Sequence, residues 1–133
     1  MGIYETDLDK TQANFTALSP ISFLRRAAAI YPEKTAVVYG ERRLTWLEVW
    51  QRSVCVARAL QARGIGQGDT VAILSANLPE MFEAHFAVPM AGAVLNAINM
   101  RLDANTVGFI LSHGEAKVFL VDKEFGLVAE QAL

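Results

Sequence analysis

Cysteine is close to absent from this chain: Cys55 stands alone. A single cysteine closes no intramolecular disulfide, and a reducing, cytoplasmic setting fits such a chain. Histidine is scarce too. His85 and His113 lie far apart, and neither H-E-x-x-H nor C-x-x-C spacing occurs, so a metal centre has no sequence support. There is no surplus of positive charge: 12 Lys and Arg face 14 Asp and Glu, for a net charge of −2. That balance argues against nucleic acid and against an anionic membrane as partners. The N-terminal M-G-I-Y-E-T-D-L-D-K lacks a basic region followed by an apolar core, so no secretory signal is read there. The longest apolar region, residues 81–98, is interrupted by Glu83, His85, Pro89 and Asn96. A membrane span needs about 20 mostly apolar residues, so this region reads as buried in protein, with no transmembrane segment. Internal repeats and low-complexity stretches are also missing.

What is present is an apolar surplus. The 133 residues fit one domain, which buries roughly two thirds of the surface of its unfolded chain. Apolar residues make up 53% and charged residues 20%, with a mean hydropathy of +0.26. For a small domain this surplus points to a surface that something else covers.

Residues 1–19 are polar and aperiodic and read as an extended lead-in. From Pro20, apolar residues at helical spacing (Ile21, Leu24, Ala28, Tyr31) predict a helix that stops at Pro32. T-A-V-V-Y and R-R-L-T-W flank Gly40-Glu41, the signal of an antiparallel hairpin near residues 35–45. Thr45 with Glu48 matches a capping box, and Trp46, Trp50, Val54, Ala57 and Leu60 form the apolar stripe of the helix that follows. Gly64 ends that helix. Residues 70–74 (T-V-A-I-L) read as a strand covered on both faces. A helix with Pro79 in its first turn and Pro89 near its end comes next, then the strand A-V-L-N-A-I. Asp103 caps a further helix ending near His113-Gly114, A-K-V-F-L-V is the last strand, and residues from Lys123 look helical. The alternation predicts an α/β fold, with a mainly parallel sheet flanked by helices.

Gly64, Gly66 and Gly68 invite a phosphate-loop reading, but they follow a helix and precede a strand. Anions bind where a strand runs into a helix, at free N–H groups. The spacing also misses G-x-G-x-x-G, and no G-x-x-x-x-G-K-[ST] exists. The run is read as a helix stop and tight turn. The turn with the right polarity is S-A-N-L-P-E, residues 75–80, where Asn77 is read as a helix cap. The remaining candidates have structural readings of greater weight. Cys55 is inert packing in mid-helix, His85 a hydrogen-bonded boundary residue able to line a cavity, and His113 a helix C-terminal residue facing the dipole. Glu80 and Glu83 serve a helix start rather than acid–base work, and Trp46 and Trp50 serve the core. Nothing assembles a nucleophile, a base and oxyanion donors.

Three ordered blocks then resemble the adenylate-forming acyl-CoA synthetases, most of all the fatty-acid and medium-chain acyl-CoA ligases: Y-P-E-K-T-A-V-V-Y-G-E-R-R-L-T-W, A-R-A-L-Q-A-R-G-I-G-Q-G-D-T-V-A-I-L-S-A-N-L-P-E and A-G-A-V-L-N-A-I-N-M-R-L. The resemblance covers about residues 20–125. It implies a two-step reaction: a carboxylate attacks the α-phosphate of ATP to give acyl-adenylate and pyrophosphate, and the thiol of coenzyme A then displaces AMP. Mg²⁺ offsets the phosphate charge, and a domain rotation separates the half-reactions. The family's phosphate loop, adenine segment, ribose-binding aspartate, hinge and catalytic lysine are missing here, and Lys117 and Lys123 lack the surroundings of that lysine. The resemblance therefore implies that residues 20–133 are the first part of the large N-terminal domain of a two-domain enzyme, truncated and inactive alone. Its partners would be the remainder of the ligase and a carboxylic acid substrate. No catalytic, cofactor-binding or metal-binding residue transfers. Thr45, Gly64, Gly68 and Asp69 match as structural positions, and Asn96 and Asn99 match near a strand end, within reach of the acyl tunnel. Two other readings stay open: a non-enzymatic module that binds another protein or itself as a homo-oligomer, and a small flavodoxin-like binder using residues 75–80.

Overall fold

The computed structural model describes residues 9–16 and 18–133. Residues 1–8 and 17 of the predicted lead-in lie outside them, and residues 11–15 form a turn in which Asn14 Oδ1 accepts from the Thr11 N–H at 2.8 Å. Helix α1 spans Pro20–Ile30, capped by Ser19, and Leu24 and Ala28 form its buried line. Strands β1 (Thr35–Tyr39) and β2 (Arg42–Thr45) pair antiparallel as expected. Gly40 has φ +55°, a left-handed conformation that suits glycine at the first position of a hairpin turn.

Helix α2 (Trp46–Gln61) starts with the predicted capping box, in which both Thr45–Glu48 hydrogen bonds form. Its buried line differs from the predicted stripe. Val49, Ser53, Ala57 and Leu60 face inward, while Trp46, Trp50 and Val54 are only half-buried. Small residues at 53 and 57 let neighbouring helices approach, and the two large indoles are left at the flank. Cys55 points away from this line and is exposed, not packed.

Strands β3 (Thr70–Leu74), β4 (Val94–Ile98) and β5 (Ala116–Val121) form a parallel sheet in the order β4-β3-β5. The two-residue period of a strand divides β3 between two cores. Val71 and Ile73 pack toward α2 and toward α3 (Pro79–Met90). Ala72 and Leu74 pack with α4 (Ala104–His113) and with Val128 and Ala132 of α5 (Gly126–Ala132). Being covered on both sides is why residues 71–74 read as a continuous apolar run. Pro89 lies in the last turn of α3, and the helix is closed off by Gly92, whose φ of +89° lets the Ala93 N–H reach back to the Val88 carbonyl. A single 3-10 turn, Lys123–Phe125, precedes α5. Asn96 lies in the middle of β4 rather than at its end, paired with Ala72, while Asn99 follows the strand.

Candidate functional site

In an open parallel sheet, ligands bind beyond the carboxyl ends of the strands, where successive connections leave toward opposite faces. Strands β3 and β5 are neighbours that meet this condition. The chain leaves β3 into α3 on one face and leaves β5 toward α5 on the other. Between the two exits lies a cavity of about 500 Å³. Ser75 and Leu78 border it from the β3 exit, and Asp122 and Lys123 from the β5 exit. Ile73, Leu120, Val56 and Ala84 make the walls apolar.

One side of the mouth is ionic. Arg52 of α2 meets Glu83 of α3 through two hydrogen bonds, one from Nε and one of 3.1 Å from Nη2. Glu83 is buried, at 3% exposure. Glu80 takes a 3.1 Å contact from Arg42 of the hairpin and a longer one from Arg52. The hydrogen bond to Glu83 raises the Arg52 pKa above its ordinary value, against the opposing effect of burial. Burial pushes the Glu80 carboxyl upward, but its backbone hydrogen bond and Arg42 outweigh that and hold it below 4.5. The pair expected to serve a helix dipole thus ties α2, α3 and the hairpin together.

Other predicted residues fall elsewhere. Gly64, Gly66 and Gly68 lie before β3, at the opposite, N-terminal end of the strands, where the Gly66 N–H donates to Asp69 Oδ2 at 2.8 Å. Gly64 and Gly68 have φ of +79° and +84°, which explains glycine at both positions. Lys117 pairs with Asp69. Asn77 does not cap α3. The N-cap is Leu78, with no side-chain cap bond, so Asn77 stands one residue too early to reach the free N–H groups. His85 donates from Nδ1 to the Met81 carbonyl at 2.8 Å and lines a groove of about 610 Å³ between α3 and β1. His113 closes α4 and stacks on Phe109. The sequence singled out the Ser75–Glu80 turn by its polarity. It carried no sign of Arg52, which reaches the mouth because α2 packs beside α3, or of Asp122 and Lys123, which follow β5.

A family model described as AMP-binding enzyme matches residues 24–132. The chain belongs to the AMP-binding enzyme family. Among its relatives, the acetate–CoA ligase CCL3 of Humulus lupulus is 50% identical over 127 residues, covering 96% of this chain and 22% of the relative. The peroxisomal acetate/butyrate–CoA ligase AAE7 of Arabidopsis thaliana is 51% identical over 127 residues, with the same coverage of 96% and 22%. The inhibitor-bound N-terminal domain of FACL13 from Mycobacterium tuberculosis superposes with a TM-score of 0.79 at 32% identity, covering 83% of this chain and 28% of that one. The chain therefore spans about a fifth of the length of the curated relatives it matches. Among the described residues, no helix is long and apolar enough to cross a membrane.

Proposed function

We propose that this chain acts as the opening segment of an ATP-dependent carboxylic acid–CoA ligase, with short-chain acids such as acetate and butyrate as first-choice substrates. The observation that carries this reading is the 50% identity to an acetate–CoA ligase over 127 residues. ATP, Mg²⁺ and coenzyme A are the implied cofactors of the longer enzyme. The residues here do not fit a magnesium triphosphate. The glycine run lies at the N-terminal end of the strands, and the start of α3 carries Glu80 and Glu83, already ion-paired. No step of the reaction is assigned to this chain. Its part is to supply β3, its two flanking layers and the crevice mouth as a rigid frame for the rest of the ligase. Alone, it is expected to be inactive. We place it in a reducing compartment on the strength of its single cysteine.

A chimera tests this. Residues 1–133 replace the matching segment of the Humulus acetate–CoA ligase, and acetyl-CoA formation is measured beside the isolated chain. Activity in the chimera and none in the isolated chain support the reading. A folded, inactive chimera would count against it, and acyl-adenylate formation by the isolated chain would remove the claim of inactivity.

A further inference from the structure

Helix α1 buries Leu24 and Ala28 and turns a different face outward. On that face Phe23, Ile30 and Tyr31 are 58%, 52% and 56% exposed. Together with half-buried Trp46 they surround a shallow hollow of about 340 Å³, and Arg26 and Lys34 complete its lining. Neither cation has an ion-pair partner among the described residues, where only Arg42, Arg52 and Lys117 are ion-paired. Lys34 instead lies over the Tyr31 ring, 5.5 Å from its centroid. Glu33 is the only carboxylate between residues 20 and 40. An acidic chain thus carries one locally basic, aromatic face.

We infer that this face docks on an anionic phospholipid surface. A helix lying in a bilayer interface presents apolar side chains to the acyl boundary and cations to the headgroups. Trp and Tyr favour that depth because their rings are amphipathic. Arg26 and Lys34 supply the charge complementary to anionic lipid. The hollow is too shallow to grip a peptide, whereas a planar surface can meet the whole face. Net charge, which argued against membranes, averages over a surface on which these charges are segregated. The inference rests on α1 and its neighbours, independently of the ligase reading.

The test is co-sedimentation of the purified chain with phosphatidylcholine vesicles, with and without phosphatidylserine. Binding is expected only with phosphatidylserine, and it should weaken with salt as screening sets in. R26E and K34E should each reduce it at least about five-fold. F23S combined with I30S should abolish it while leaving the circular dichroism unchanged, because both side chains are exposed. Four results would overturn the inference: no binding to either vesicle; equal binding to both; full binding by R26E/K34E; or a dimer, dissolved by F23S, showing that a second copy covers the face. Polyglutamate binding that matches the vesicles and falls with the same substitutions would assign the face to an acidic protein instead.

Discussion

Arg52 Nη2 lies 3.1 Å from Glu83 Oε2 while Arg52 Nε donates to the other oxygen, so two side chains 31 positions apart close a two-pronged ion pair between α2 and α3. The geometry matches the planar fork of a guanidinium, which a lysine cannot reproduce. Glu83 is almost fully enclosed, while the Arg52 side chain is 43% exposed. The carboxylate therefore depends on the arginine far more than the reverse.

Arg52→Ala should cost about 3 kcal/mol, because it strands a buried charge. Replacing both residues with leucine should cost clearly less, since no charge is then left unpaired. Urea unfolding of the two variants decides the matter. A single variant as stable as the wild type would mean that water already serves Glu83.

Ser53 Oγ is fully buried with no hydrogen-bond partner among the described residues. A buried hydroxyl that has lost its water without a replacement opposes folding. Ser53→Ala should leave the urea midpoint unchanged or raise it. A loss of more than about 1 kcal/mol in unfolding free energy would reveal a bonding partner for the hydroxyl.

Two glycines should respond to alanine with opposite signs. A Cβ at Gly108 would stand 2.8 Å from the Ala132 carbonyl oxygen, so α5 would have to move off α4. The gain in helix propensity, about 1 kcal/mol, should be outweighed by overpacking of about 1–3 kcal/mol. At Gly126 φ is −54° and a Cβ meets nothing within 4 Å. Alanine there should stabilise by about 0.4–1 kcal/mol through the unfolded chain. Melting temperatures of both variants test the pair, and a stabilised Gly108→Ala would contradict the close approach of α5.

Besides Glu80, three carboxylates link stability to acid. The hydrogen bond from Lys117, and then the Gly66 N–H, hold Asp69 below its ordinary 3.8. Thr106 lowers Asp103, and Thr45 lowers Glu48 below 4.5. Because these values are depressed in the fold, the unfolded chain takes up protons first. Their contribution is complete above the ordinary values and disappears as pH falls through the folded ones. The melting temperature should stay level down to about pH 5 and fall below about pH 4. Asp69→Asn should shrink that fall, and an unchanged acid limb would show that the Lys117 pair contributes nothing.

The local sequence determined the elements. Thr45 and Glu48 form their capping box, Asp103 caps α4, Gly40 turns the hairpin, and the unbroken apolar run of β3 announced a strand covered on both faces. Each rests on neighbours within a few positions, where sequence spacing is spatial spacing. The ordered blocks also led to the family. Tertiary structure alone decided the rest. The turn of α2 that places Ser53 inward and Cys55 outward depends on how closely α1 and α3 approach. The partnership of Arg52 with Glu83 depends on two helices meeting on one face of the sheet. The cavity that joins Ser75 to Asp122 depends on β3 and β5 being neighbours in the sheet beside α2 and α3, a property of strand order that no local pattern encodes.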